Sequence, residues 1–597
     1  MKTTIQTPTI CHKILELPTR GTESTAILKK EFGNWKKIGW LEYYDKILCT
    51  SSALLAIGVK PGSKVAIMSN TRFEWSVFDH AILAIHAITV PIYPSVTTEE
   101  LEFILQNSES EVLVLEGRSQ LKLFLQMRDK CPQVKKVIVF DQVRDSDLDF
   151  FSWDDFFILG KQEKPTFAKK IEQLCKSTTA DQMATLIYTS GTTGQPRGVV
   201  LNHEQIISEV TEAFANFGVT AEDRSLSFLP YAHVLGRIEH WGHLYVGYQI
   251  AYAESIEKIK YNLVEVQPTF IMAVPRIFEK IYGTVHAKLS SNSWQQNIFA
   301  RALSIGTSVS QMKQEKKQIP LSLFLEHKLA QKLALNKITE VFGGKLRFAI
   351  SGGAPLSQQI SGFFHACGIL ILEGYGLTET TGAICVNTPF NFKFGTVGTP
   401  IGDVKLTIAE DGEILVQSKK LMQGYYKDLQ TTKIAMTDGW FHTGDIGEIL
   451  PSGHLKITDR KKDLIKTAGG KYVAPQKLEN LLKKYAFISN VLIHGDQKKY
   501  IVALITLDQA AILNMAYELQ ISYQDPASLT QHPQILNKVR QALAEVNATL
   551  ASYETIKRFS VLTKDFTVEQ GELTPSLKIR RKFLDQKYAE QIDSLYQ

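Results

Sequence analysis

Runs of strand length, rich in β-branched and aliphatic residues, alternate with stretches of helical periodicity through the first 370 or so residues, and no other feature constrains the fold as tightly. Such runs occur at 64–68, 111–115 and 137–140. Between them the spacing predicts a helix over 97–106, where Thr97 and Glu100 stand as in a capping box and Leu101, Ile104 and Leu105 form an apolar stripe. The same grammar continues at 185–189, 269–274, 346–350 and 369–372. Strands joined through helices pair in parallel by right-handed crossovers, which predicts an α/β architecture. Ligands in such folds bind beyond the carboxyl ends of the strands, so the loops there are where chemistry is expected.

From about residue 404 the texture changes to short strands and tight turns, at 404–408, 413–417, 446–450 and 454–458, which predicts a small β-rich subdomain near 400–460. The charged stretch DRKKD follows, then strand signals at 490–494 and 500–506 and a helix over 475–484 with proline in its first turn. The expected organisation is a large N-terminal body of stacked α/β subdomains over 1–461, carrying the β-rich subdomain, and a mobile α+β C-terminal domain over 462–597. With 44% hydrophobic residues in a chain of 597, several separate cores can be filled without staples.

Composition excludes other classes. The six cysteines are scattered, with no CxxC and no zinc spacing, which fits a reducing compartment and argues against a structural metal. The N-terminal segment lacks an apolar signal core, and no window offers the roughly 18 apolar residues of a membrane span. A cytoplasmic location is expected. Lysine and arginine (67) nearly balance aspartate and glutamate (61), which argues against nucleic acid, while the excess of +6 permits peripheral contact with an anionic membrane face. The oligomeric state is not readable.

Residues 188–203, YTSGTTGQPRGVVLNH, follow an apolar strand and end at Asn202, a good helix N-cap with Gln205 three residues on. Thr189, Ser190, Thr192 and Thr193 alternate with Gly191 and Gly194 ahead of one cation, Arg197. Glycines admit backbone N–H groups close to an anion, hydroxyls add donors and the guanidinium adds charge, so the segment reads as a polyphosphate cradle. A surface loop is the plainer reading of any Gly/Ser/Thr cluster. A Walker A loop is excluded, because Gly344-Lys345 runs into Leu346 and Gly470-Lys471 into Tyr472.

This loop resembles the signature of the adenylate-forming superfamily, which comprises acyl-CoA synthetases, luciferases and peptide-synthetase adenylation domains, with Arg197 where that family usually has lysine. Five further segments are similar to that family's motifs and stand in the same order. The resemblance implies an adenine loop at Gly352, Gly353 and Ala354. In EGYGLTETTG it implies that Glu373, Gly374, Tyr375, Gly376 and Thr378 bind ATP or AMP and that Glu379 holds Mg2+. In WFHTGD it implies that Asp445 binds ribose. In TDRKKDLIKTAGG it implies a ribose or phosphate contact at Arg460, a hinge at Lys462 and a coenzyme A path at Gly469 and Gly470. In LTPSLKIRRKFL it implies that Lys578 is the catalytic lysine. Taken singly, each segment would read as an ordinary turn, linker or basic surface run.

The length and the segments 228–240 and 250–259 look most like long-chain fatty acyl-CoA synthetases, with His233 in the acyl-pocket region; packing is an equal reading for that histidine. The resemblance implies that an acid attacks the α-phosphate of MgATP to give acyl-AMP and pyrophosphate, and that coenzyme A then displaces AMP. Lys578, Glu379 and Arg197 are the expected catalytic groups. Two rivals remain: a fatty acyl-AMP ligase serving a carrier protein, and a non-catalytic nucleotide or lipid binder. The first usually carries an insertion after the hinge, whereas Lys462 here runs straight into Asp463, Leu464, Ile465 and Lys466. The second has no need of Glu379, Asp445, Arg460 and Lys578 together. Acyl length is not readable from the pattern.

Overall fold

The computed structural model describes residues 8–21, 24–143, 150–189, 195–289, 293–574 and 578–597. Two large sheets carry the N-terminal body. In the eight-stranded sheet the order is Gly424–Tyr425, Arg197–Asn202, Met183–Thr189, Ile88–Ile92, Lys64–Met68, Val112–Leu115, Lys136–Val139 and Phe151–Ser152. Its strands are parallel from Met183–Thr189 onward, and the two at the opening edge are antiparallel. The nine-stranded sheet runs parallel through Leu370–Leu377, Phe348–Ser351, Phe270–Ala273, Arg224–Ser227, Gln249–Tyr252 and Thr25–Glu31, again with antiparallel flanks.

The expected helix runs Thr98–Ser108, and its capping box is made: the Glu100 amide donates to Thr97 Oγ1 at 3.2 Å and the Thr97 amide to Glu100 Oε2 at 3.3 Å. The expected cap at Asn202 is also made: it precedes the helix His203–Phe217, and its amide donates to Gln205 Oε1 at 2.8 Å. Residues Arg197–Asn202 form a strand antiparallel to Met183–Thr189, and the helix His203–Phe217 begins only after it. The run Gly-Val-Val-Leu is buried along its length, and β-branched residues suit a buried strand better than a loop.

One continuous core draws on both sheets, and the helix Phe73–Ala84 lies inside it with all 12 residues buried. Such a helix must still carry Asp79, which is 0% exposed. The carboxylate accepts from Arg237 Nη2 at 2.9 Å and pairs with His240 Nε2 at 3.0 Å, both on the helix Val234–Val246. Burial opposes its ionisation, but Arg237 and His240 hold its pKa well below the usual carboxylate range. The Arg237 guanidinium also lies over the rings of Trp75 at 5.0 Å and Trp241 at 4.6 Å, so aromatic faces meet the donors Asp79 does not use.

The β-rich subdomain is an antiparallel sheet of Lys405–Ile408, Glu413–Gln417, Trp440–Ile449, Met436–Thr437 and Leu455–Arg460. Beyond it, Ile488–His494, Ile501–Leu507 and Ile556–Val561 form a three-stranded sheet under the helices Pro475–Leu482, Gln509–Glu518 and Pro533–Asn547. Its apolar clusters contain only residues from Ile465 on, so this smaller unit has a core of its own. The Arg276 Nη2 group donates to Ser489 Oγ at 3.1 Å across the junction with the large body. All six cysteines are buried and free, and no described helix is long and apolar enough to cross a membrane.

The Asp79–Arg237 pair yields a stability prediction. Arg237→Met should leave an uncompensated buried carboxylate and cost about 3 to 5 kcal/mol. Adding Asp79→Asn should recover part of the loss. Thermal unfolding of both variants checks this, and an unshifted transition for the single variant would contradict it.

Candidate functional site: a cleft at the seam of the two units

A cleft of about 690 Å³ opens where the strand ends of both large sheets meet the β-rich subdomain and the C-terminal unit. Thr189 and Arg197 lie opposite each other as the last register pair of an antiparallel hairpin, so both reach the cleft mouth. Ser190, Gly191, Thr192, Thr193 and Gly194 lie outside the described residues.

The short strand Gly424–Tyr425 continues this sheet by pairing with Arg197–Asn202. That register aims the Tyr425 ring into the cleft, where the Arg197 guanidinium sits 5.6 Å from the ring centroid. Its hydroxyl donates to Glu379 Oε1 at 2.9 Å. Burial and the Glu379 carboxylate both push the Tyr425 pKa up, so the phenol keeps its proton and remains a donor. Sequence reasoning missed this residue. The two side chains are 46 positions apart, and only the sheet pairing brings them together.

Glu379 sits in the single 3₁₀ turn Thr378–Thr380, between the strands Leu370–Leu377 and Gly382–Val386. The Leu377 amide donates to Thr380 Oγ1 at 2.8 Å, and the Met422 amide donates to the Glu379 carbonyl at 2.8 Å, so the turn is held from both sides. Backbones approach closely here: a Cβ on Gly376 would fall 1.6 Å from the Gly382 carbonyl oxygen. Among the described residues only Tyr425 donates to the Glu379 carboxylate. Oε2 is left for a ligand, and a hard oxygen donor at the cleft fits a magnesium ion.

Asp445 and Arg460 are register partners on adjacent strands of the β-rich sheet. Arg460 Nε lies 3.1 Å from Asp445 Oδ1, and the Tyr375 hydroxyl donates to Asp445 Oδ2 at 2.7 Å. Asp445 is 4% exposed and stands behind the wall that Tyr375 and Arg460 present to the cleft. Each of its oxygens retains a lone pair for a further donor.

Lys578 enters from the C-terminal unit. Its side chain keeps water-accessible surface toward the cleft while protein surrounds it beyond. Burial and the Arg460 charge pull its pKa down to about 8, against Asp445 and Glu379, which raise it. His233 lines the opposite wall, where its Nδ1 accepts from the Leu235 amide at 3.1 Å and caps the helix Val234–Val246. Burial and Lys578 lower its pKa to about 4, which leaves the ring neutral. That helix turns Leu235 and Ile238 to the cleft and Arg237 and His240 to the core pair, so Asp79 anchors a wall of the site from behind. With Phe217, Met272 and Ile350 these residues make an apolar arm.

The remaining expected residues divide. Gly352, Gly353, Gly374, Tyr375, Gly376, Thr378, Arg460 and Lys462 line the cleft; Ala354, Glu373, Gly469 and Gly470 are not among its lining residues. Glu373 turns away, accepting from the Leu356 amide at 3.0 Å, and burial raises its pKa to about 7. It braces the turn that carries Gly353. Gly469 and Gly470 lie on the exposed turn between Ile465–Lys466 and Tyr472–Val473. Lys462 is exposed, next to Lys461, whose ammonium is pinned by Asp411 at 2.6 Å and Glu413 at 2.8 Å.

A carboxylate with a free oxygen, and cations from two units around one cleft, define a nucleotide-handling enzyme of the adenylate-forming kind. Two family descriptions match the chain: AMP-binding enzyme over residues 17–426, and AMP-binding enzyme C-terminal domain over residues 462–597. The chain belongs to the AMP-binding enzymes. It is 35% identical over 569 residues to a long-chain-fatty-acid–CoA ligase of Mycobacterium bovis, covering 94% of this chain and 93% of that protein. It is 32% identical over 602 residues to long chain acyl-CoA synthetase 1 of Arabidopsis thaliana, covering 94% of this chain and 87% of that protein. The crystal structure of the adenylation domain of a carboxylate reductase from Mycobacterium chelonae shares the fold, with a TM-score of 0.74 at 22% identity over 98% of this chain and 91% of that one.

The close backbone approach at Gly376 gives the second prediction. Gly376→Ala should displace the turn bearing Thr378 and Glu379 and lower adenylate formation at least about tenfold, the range seen when a positioned group moves by an ångström. Acid-dependent pyrophosphate release measures it, and activity equal to that of the parent protein would refute the role given to this contact.

Proposed function

We propose that the protein activates a long-chain fatty acid with ATP, releasing pyrophosphate, and transfers the acyl group to coenzyme A with release of AMP. The observation that carries this reading is one cleft in which Arg197, Arg460 and Lys578 gather around Glu379 while an apolar arm opens beside them. The first set suits a polyphosphate and the second an aliphatic chain. The resemblance of the whole chain to long-chain ligases supports the same reading.

In the first half-reaction a carboxylate oxygen of the acid bonds to the α-phosphorus and the bond to pyrophosphate breaks. Both partners are anions, so the protein's task is to hold them together and meet the growing charge. Thr189 and Arg197, with the neighbouring loop, hold the phosphates. Glu379 would hold magnesium, which would supply positive charge to offset the phosphates; Tyr425 fixes the carboxylate for it. Asp445 and Arg460 take the ribose side, Tyr375 and the turn at Gly352 and Gly353 the base, and Lys578 brings an ammonium between acid and α-phosphate.

In the second half-reaction the thiolate sulfur of coenzyme A bonds to the acyl carbon and AMP leaves. Lys578 is not needed for that step. Rotation of the C-terminal domain about Lys462 would withdraw it and present Gly469 and Gly470 instead. The exposed Lys462, without an ion-pair partner among the described residues, beside the pinned Lys461 is the arrangement expected of a pivot.

Three expected outcomes follow from these roles. Lys578→Ala should cripple acyl-AMP formation by about 10² or more while sparing thioester formation from supplied acyl-AMP; equal loss in both half-reactions, measured separately, would exclude the assignment. Because the Lys578 pKa is lowered to about 8, its charge is present below that pH and lost above it, so kcat/KM for adenylation should fall as pH rises through 8. Lys578→Arg should remove that fall even if it slows the reaction. Pyrophosphate release measured over acetate to palmitate and an aromatic acid, with and without coenzyme A, tests the whole reading. Palmitate should be preferred and coenzyme A consumed, whereas acyl-AMP that accumulates despite coenzyme A would favour a carrier protein as acceptor.

A further inference from the structure

Between the strands Phe270–Ala273 and Phe348–Ser351 the chain makes an excursion of helices that ends in Leu321–Ala330, its π-helical continuation Gln331–Leu335, and Asn336–Val341. One side of this rod is buried against the body through His327, Ala330, Ala334, Leu335 and Ile338. The other side is also apolar. Leu321, Leu325, Leu329 and Leu333 recur every fourth residue and are between 59% and 72% exposed, with Phe324 beside them. In an α-helix a four-residue step drifts by roughly 40° around the axis. The wider π turn reverses that drift and brings Leu333 back toward the line of the other three. A helix apolar on two faces, with only one covered by its own protein, presents a surface made for a second, non-aqueous neighbour.

Charge selects that neighbour. From 313 to 345 there are seven lysines against three glutamates, a local excess of four within a chain whose total is +6. Lys317 pairs with Glu315, whereas Lys313, Lys316, Lys328, Lys332, Lys337 and Lys345 have no carboxylate within ion-pair distance among the described residues. Lys328 and Lys332 stand among the exposed leucines. Alongside, Lys313, Lys316, Lys317 and Arg347 line a second cleft of about 610 Å³, with Phe390, 78% exposed, also in its wall. A second copy of this chain would set these lysines against themselves, and a nucleic acid has no use for the leucines.

We propose that this face docks the protein on an anionic lipid bilayer, with the rod lying in the interface plane, leucines and Phe324 toward the acyl chains and lysines among the headgroup phosphates. The proposal rests on the long-chain reading for its purpose. The excursion joins two strands whose Met272 and Ile350 line the main cleft, so docking sets a wall of that cleft beside the phase in which long-chain acids dissolve.

Co-sedimentation of the full-length protein with vesicles tests it, using equal parts phosphatidylglycerol and phosphatidylcholine against phosphatidylcholine alone, at low and high salt. The parent protein should prefer the anionic vesicles and release in salt. Leu325→Glu with Leu329→Glu, and separately Lys328→Glu with Lys332→Glu, should each weaken binding at least about tenfold. Both doubles should keep the parent's circular dichroism and its pyrophosphate release with octanoate, because all four side chains are exposed. Unaltered vesicle binding in both doubles, no preference for anionic vesicles, or a dimer in sedimentation velocity that the leucine double abolishes would overturn the proposal. Failure of the long-chain reading would show separately, as no pyrophosphate release with palmitate in vesicle-free buffer.

Discussion

The Asp445 carboxylate is the point from which the site is organised. It is nearly inaccessible to water, and a buried carboxylate is tolerated only when donors surround it. Those donors come from two places: Arg460 from the neighbouring strand of the β-rich sheet and the Tyr375 hydroxyl from the last parallel strand of the nine-stranded sheet. The interaction therefore fixes the angle between a subdomain and the main body. It also sets Arg460 at the cleft wall, where its charge reaches Lys578 of a third unit. Loss of this one anion would release the tyrosine, the arginine and the relation between two sheets together.

The smaller C-terminal unit has its own apolar core and contributes a cation to a cleft already lined by cations. Arg460 lowers the pKa of Lys578, which means that the two charges repel across the seam. Closure of the cleft is thereby opposed by like charge and favoured by any polyanion placed between. A hinged two-unit design gains from that balance, because the same groups that capture a nucleotide make the closed arrangement depend on it.

The layered α/β body was legible because buried parallel strands announce themselves as short apolar runs and helices by periodicity; most ends moved by only a residue or two, although the strand expected over 369–372 runs on to Leu377. Its antiparallel edges were not legible: Arg197–Asn202 looks like the tail of a loop until its partner Met183–Thr189 is beside it. The cleft residues that follow strands were found for the same reason the strands were. Tyr425 and the Asp79–Arg237 pair were not, since both arise from contacts between distant segments that carry no spacing signal. Glu373 shows the converse. It belongs to the same run as Tyr375 and Thr378, yet its carboxylate is taken up by the Leu356 amide instead of the cleft.

Lys578 carries one more consequence. At pH near 8 a substantial fraction of its amines lacks a proton, and a triphosphate brought beside it raises its affinity for one. Nucleotide capture at that pH is then also the uptake of a proton from solvent, so the heat of binding contains the ionisation heat of whatever buffer gives the proton up.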